Sequence, residues 1–310
     1  MSGAVRVVSV GLGIGDARGL HRGGGCLLGV LLGLRFEDSS WSWREFVAEA
    51  AVRAEILRAL SREHADSYAD RPERYRRLHV GVLLENVPEY LFLVCGAAMA
   101  GVTIIGINPT RRGAELASDI RGVDCDVIVT DDDGAALLTG LDTGGAGSVG
   151  VESARWRELL AAHAGAEPRL DETARDPHTL LALLFTSGST GAPKAVMCST
   201  GRLAMLGTVN FRGLVRSDVT YCAMPLFHGN ALMAAFAPSA YVGCTFTMRR
   251  KFSASGFLPD VLKFGATYVN YVGRSLSYVL AQPERPEEAR TALRIVFGTE
   301  ASAHDRAEFA

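Results

Sequence analysis

The chain has 310 residues, with 34 acidic and 32 basic side chains and a formal net charge of −2. A near-neutral balance without a long basic block argues against nucleic acid as a partner. The six cysteines (Cys26, Cys95, Cys125, Cys198, Cys222, Cys244) form no CxxC pair and no Cys/His cluster. That pattern argues against zinc and a disulfide framework, and for reduced thiols in a cytoplasmic protein.

Residues 1–34 are crowded with glycine. "GLGIGD" imitates a dinucleotide fingerprint, but Asp16 stands where the third glycine is needed. The apolar run Cys26 to Leu34 is too short to span a bilayer, and no small-x-small cleavage site follows it. Residues 1–34 are therefore expected to be a poorly ordered segment ahead of a domain covering 35–310.

From Trp41 the pattern is regular. Ser42-Trp43-Arg44-Glu45 reads as a capping box opening a helix to about His64. "LHVGVLL" (78–84) reads as a buried strand. Pro88 opens a helix through Met99, and Gly101 ends it. "VTIIGI" is a strand, Gly113 to Arg121 a helix and Cys125 to Thr130 a strand. Residues 131–150 read as a loop, with a short helix following around Trp156. Further strands are predicted at Leu181–Phe185, Thr220–Ala223, Cys244–Met248, Thr267–Asn270 and Leu293–Phe297, with helices between them and a last helix from Ser302. Continuous apolar strands alternating with helices predict an α/β fold with a mostly parallel sheet.

Between two apolar runs lies "LLFTSGSTGAPKAV", Leu183 to Val196. Gly188 and Gly191 allow positive φ and close backbone approach, so successive N–H groups can cradle an anion. Thr186, Ser187, Ser189 and Thr190 add hydroxyls, and Lys194 adds a mobile positive charge. A polyphosphate fits this set. A Walker A loop does not, because Pro193 replaces the glycine before the lysine and Ala195 replaces the magnesium-binding Ser/Thr after it. A flexible Gly/Ser linker is the bland alternative; the short length and apolar flanks argue against it.

"TSGSTGAPK" closely resembles the phosphate-loop signature of the adenylate-forming (AMP-binding) enzymes, which include acyl-CoA synthetases, nonribosomal-peptide adenylation domains and luciferases. The resemblance implies an incomplete N-terminal domain of that fold, with two mostly parallel sheets flanked by helices. It also implies that Thr186, Ser187, Gly188, Ser189, Thr190, Gly191 and Lys194 hold the β- and γ-phosphates of ATP, with Mg2+. A substrate carboxylate would attack the α-phosphorus and release pyrophosphate. The thiol of coenzyme A would then displace AMP.

Other segments extend the match. "MPLFHGNALM" is similar to the next core motif and implies that His228 lies beside the acyl pocket and the adenylate. A positioning or gating role suits it, since a carboxylate needs no deprotonation at neutral pH. Residues 248–283, with "RRKFSAS" and "YVGRSLSYVLAQP", resemble the very-long-chain acyl-CoA synthetase branch that includes fatty-acid-transport-protein-like enzymes. That implies a fatty acid as substrate, with Val269 to Gly273, among them Tyr271, Val272 and Gly273, lining its tunnel. "LRIVFGTEASAHD" resembles the strand and turn before the adenine motif, which implies that Gly298, Thr299 and Glu300 wall the site. Glu300 is not the family's magnesium-binding glutamate, which belongs to a later motif.

The resemblance covers Arg35 to Ala310. The aromatic-Gly-x-Thr-Glu motif, the ribose-binding aspartate, the hinge and the small C-terminal domain with its adenylation lysine are not found in it. Two expectations follow: a fatty-acid–CoA ligase lineage, or a non-catalytic remnant that binds ATP or an acyl chain. A third, an unrelated nucleotide-binding α/β module, would lack the downstream motifs. An exposed strand edge and unburied apolar surface are also expected. Peripheral membrane contact would follow only from a lipidic substrate, since no amphipathic basic helix supports it. Acyl length, a sterol side-chain acid and oligomeric state stay open at this point.

Overall fold

The computed structural model describes residues 32–186, 194–210 and 213–309. It opens with a hairpin absent from the sequence reading, β1 Leu32–Phe36 and β2 Ser39–Ser42. Leu34 and Phe36 are buried and Leu32 is exposed, so three residues ahead of position 35 already belong to the sheet. Ser42 then caps α1, Trp43–Glu63. Its hydroxyl accepts from the Glu45 amide at 3.2 Å, and the Glu45 carboxylate returns to the Ser42 amide at 2.7 Å. This is the capping box read from the sequence.

The next elements are β3 His79–Leu83, α2 Pro88–Ala100, β4 Thr103–Gly106, α3 Gly113–Arg121 and β5 Val127–Thr130. Gly101 ends α2 at φ 68°, the left-handed cap that favours glycine. The segment expected to be a loop instead forms α4 Asp132–Leu138 and β6 Gly147–Gly150. Asp131 is the cause: its carboxylate accepts from the Gly134 amide at 2.8 Å and starts the helix. Then follow α5 Ala154–Ala162, β7 Leu180–Thr186, β8 Lys194–Ser199, α6 Thr200–Val209 and β9 Val219–Cys222. A π-helical turn, Ala231–Phe236, runs into α7 Ala237–Val242 and β10 Thr245–Met248. The last elements are α8 Ala254–Phe264, β11 Tyr268–Val272, α9 Ser275–Leu280, β12 Ile295–Thr299 and α10 Ala303–Phe309.

The strands form two six-stranded sheets. The first has the order β6-β5-β3-β4-β7-β8 and is parallel except for β8. The second has the order β12-β11-β9-β10-β1-β2 and is parallel except for β2. Strand alternation divides the apolar residues of the first sheet. Val80, Val82, Ile104, Val127 and Val129 join the main core with α1 and α2, while Ile105 and Ile128 pack on the other face with Leu116 and Ile120 of α3.

Helices α1 and α2 cross closely because Gly96 has no side chain. A Cβ there would sit 2.8 Å from the Ala54 nitrogen and 2.9 Å from the Ala50 oxygen. Beside the crossing, buried Arg53 donates from Nε to Glu89 at 2.8 Å and also pairs with Glu49. At the first sheet's edge, β8 leaves Met197 54% exposed and Val196 37% exposed, as expected for an uncovered edge.

A buried carboxylate gives the second sheet a pH dependence. Asp218, 5% exposed at the side chain, accepts from the Val215 amide and the Thr267 hydroxyl, each at 2.7 Å, and pairs with Arg294. Burial alone would raise its pKa; these donors outweigh burial and hold it below the ordinary value of 3.8. A folded-state pKa below the unfolded one contributes stability above the unfolded pKa and loses it as pH falls through the folded value. Asp218→Asn is therefore expected to cost about 2 kcal/mol at pH 7. In urea melts the gap between variant and wild type should narrow below about pH 4. A gap that widens on acidification would contradict this assignment.

Candidate active site

The carboxyl ends of β3 and β4 in the first sheet meet the loops that leave β9 and β10 in the second, and this junction is a crevice of the kind where α/β sheets characteristically take their ligands. Asn86, just past β3 and 3% exposed, joins the sheets there. Its Nδ2 donates to the Met224 and Arg249 carbonyls at 2.9 and 3.0 Å, and its Oδ1 accepts from the Leu226 amide at 2.8 Å. Met224 and Leu226 belong to the loop after β9, and Arg249 directly follows β10. One side chain of the first sheet thus fixes two loops of the second.

The loop after β9 carries His228, which is exposed. The turn is closed by the His228 amide donating to the Pro225 carbonyl at 3.0 Å. Gly106, at the end of β4, allows the loop to come close: a Cβ there would be 2.8 Å from the Phe227 carbonyl oxygen. A Cβ on Gly229 would reach the Leu184 side chain of β7 at 3.6 Å. The His228 segment therefore lies over the end of β7, the strand that leads into the phosphate-type loop.

In the ladder, Thr186 pairs with Lys194 across the antiparallel β7–β8 hairpin. Both ends of the loop are pinned at the crevice, with exposed Lys194 as the first residue of β8. Ser187, Gly188, Ser189, Thr190 and Gly191 lie outside the described residues.

The wall expected from the C-terminal motifs is brought together by adjacent parallel strands. Val272 of β11 registers with Thr299 of β12, and the Gly273 amide donates to the Thr299 carbonyl at 3.1 Å. Glu300 has φ 71°, and its carboxylate lies 3.4 Å from where a Gly273 Cβ would be. Gly298 is glycine for a steric reason: a Cβ would fall 2.6 Å from Cγ of the Tyr271 ring.

Tyr271 is placed differently from Val272 and Gly273. Its ring turns to the α8–α9 face and lines a cavity of about 680 Å³ with Phe257, Leu276, Val279 and Phe309. Strand alternation puts Asn270 and Val272 on the opposite side. There Asn270, 2% exposed, donates from Nδ2 to Oδ1 of Asn230. Asn270 Oδ1 is buried without a hydrogen-bond partner, an omission that costs about 1–3 kcal/mol. Asn230 stands directly before the π-helical turn, a feature frequent at functional sites.

Asn86 and Asn230 were not singled out in the sequence reading, and Asn270 entered it only as part of Val269 to Gly273. The available signal was one polar residue ending the apolar run "LHVGVLLEN" and another inside "YVNYV". Thiol chemistry has no support here: the five described cysteines are buried, and burial pushes Cys222 at the end of β9 up to about 12. Among the described residues, no group of three or more His, Cys, Asp or Glu side chains is placed to hold a metal ion.

The family model of the AMP-binding enzymes matches residues 30–310. The chain belongs to the AMP-binding enzyme family. It is 51% identical over 282 residues to steroid-22-oyl-CoA synthetase of Rhodococcus jostii, covering 90% of this chain and 48% of that protein. It is 42% identical to medium/long-chain-fatty-acid–CoA ligase FadD17 of Mycobacterium tuberculosis, covering 86% of this chain and 50% of that one. The chain thus spans about half the length of the curated relatives it matches. Its fold is that of ATP-bound MatB from Rhodopseudomonas palustris, with TM-score 0.74, 22% identity and coverage of 90% and 54%. It is likewise that of the N-terminal domain of FACL13 from M. tuberculosis, with TM-score 0.73, 19% identity and coverage of 90% and 69%. The two-sheet α/β fold of an AMP-binding N-terminal domain is therefore the one anticipated.

Proposed function

We propose that this chain carries the ATP- and acid-binding part of a CoA ligase that activates a long-chain fatty acid or a steroidal carboxylic acid through an acyl-adenylate. The observation that carries the reading is the crevice: Thr186 and Lys194, which bound the "TSGSTGAPK" loop, pair at the end of β7, and the His228 segment of the other sheet lies over the end of that strand. The names of the relatives support both the ligase class and the two acid classes.

In this reading the loop amides and Lys194 neutralise the phosphates of ATP. Mg2+ arrives with ATP as part of the substrate. Charge builds on the phosphoryl oxygens as the carboxylate attacks the α-phosphorus, and preorganised positive groups favour that state. Gly298, Thr299 and Glu300 wall the nucleotide side, while Val272 and Gly273 face the acid. His228 positions the acid; CoA then takes the acyl group and AMP leaves.

No helix of the described residues is long and apolar enough to cross a membrane. A cytoplasmic site of action, with contact at a membrane surface where a lipidic acid partitions, completes the proposal. The chain is tested with MgATP, CoA and either a long-chain fatty acid or a steroid side-chain acid. The ligase reading expects acid-dependent pyrophosphate from at least one acid, with acyl-CoA formation as the more demanding second step. ATP and acid binding without pyrophosphate would instead mark a binding remnant.

A further inference from the structure

The crevice holds an amide pair that the loop and the His228 motif leave unexplained. We propose that Asn230 donates a hydrogen bond from Nδ2 to an oxygen of the bound acid, with Asn270 as the positioning residue that aims it. This inference rests on the acid-activating reading above and adds a residue to it.

The geometry runs from the strand outward. Asn270 is embedded in β11 and 2% exposed, so its amide has no freedom to turn toward solvent. Its Nδ2 donates to Asn230 Oδ1. An amide held by its oxygen presents its nitrogen away from that contact, so Asn230 Nδ2 is turned away from β11. Asn230 is half-buried and follows His228-Gly229 at the mouth of the crevice, within reach of a ligand there.

The pairing has a cost that structure alone does not explain. Asn270 Oδ1 is left without a partner. A leucine at position 270 would leave no orphaned carbonyl there. A buried polar side chain kept at such a place is accounted for when its bond orients a neighbour that does chemistry. Asn230 meets that description, because behind it the π-helical turn is apolar: Ala231, Leu232, Ala234, Ala235 and Phe236 are all buried.

The acceptor oxygen could belong to the carboxylate, present in every substrate, or to an oxygen on the body of a steroid acid. Both offer the same chemistry, and the ligands of the test separate them. Asn230→Leu, Asn230→Asp and Asn270→Leu are prepared in the full chain, with thermal melts confirming folding. Affinities are measured by calorimetry for MgATP, a long-chain fatty acid, the primary alcohol of equal length, and a steroid acid with a ring hydroxyl. Asn230→Leu should weaken one or both acids about ten-fold or more, with MgATP unchanged. A loss for the fatty acid that exceeds the loss for its alcohol assigns the carboxylate; a loss confined to the steroid acid assigns its ring oxygen. Asn230→Asp should weaken the carboxylate case further by like-charge repulsion. Asn270→Leu should reproduce the direction of Asn230→Leu at smaller size. Equal losses for acids, alcohol and MgATP would mark a structural role and overturn the proposal, as would unchanged acid affinities in Asn230→Leu. Absence of MgATP binding in the wild type would instead count against the ligase reading itself.

Discussion

Gly96→Val is expected to yield no cooperatively folded protein, and Gly96→Ala a protein about 3 kcal/mol less stable than wild type. The reason is the nature of the neighbours. Cβ at position 96 meets the backbone of α1, at the Ala54 nitrogen and the Ala50 oxygen, rather than a side chain that could rotate away. Relief requires α1 and α2 to separate. Both helices sit between the sheets, and their separation would open the largest core cluster, in which Ala50, Ala54, Leu57, Ala97 and Val94 are all buried. It would also strain the Arg53–Glu89 pair, leaving charge buried without its partner. Urea unfolding followed by circular dichroism measures the effect. A wild-type midpoint for Gly96→Ala would mean that the crossing is looser than the distances indicate.

Asn86→Leu is expected to cost about 4 kcal/mol and to abolish ligand binding even where the chain stays folded. Three buried backbone groups lose their partners: the Met224 and Arg249 carbonyls and the Leu226 amide. Asn86→Asp keeps an acceptor for Leu226 but turns a carboxylate toward two carbonyls, so it should be no milder. The damage should be local first. Hydrogen exchange at the Leu226 amide should accelerate in both variants, before global unfolding, because that group otherwise has a 2.8 Å bond to a side chain that cannot move. Unchanged exchange at Leu226 would show that the His228 loop does not depend on Asn86.

These two positions also show what a sequence does and does not disclose. The core strands were legible because they are short, continuous apolar runs between turn residues, and α1 and α2 because Ser42, Glu45, Pro88 and Gly101 carry local capping chemistry. β8 received no bounds because "KAVMCS" lies at an edge with three of its six residues exposed, which weakens the buried-strand pattern. α4 and β6 were missed because Asp and Gly between 131 and 150 read as loop, while Asp131 in fact caps a helix. At the site, the phosphate-type loop is a pattern local in sequence, so it could be proposed from the residues alone. Asn86 could not, because its partners are 138 and 163 residues away and its meaning exists only once two sheets face each other. The opposed directions of Tyr271 and Val272 follow from strand alternation, but which side faced the crevice depended on where Asn230 came to rest.

The central claim is that the loop between β7 and β8 binds ATP in this crevice. Calorimetric titration of the folded chain with MgATP, beside Lys194→Ala, tests it most directly. The account predicts saturable one-site binding by wild type, weakened at least ten-fold by Lys194→Ala with an unchanged melting profile. No heat of binding from a demonstrably folded wild-type sample, or equal affinity in the Lys194 variant, would contradict it.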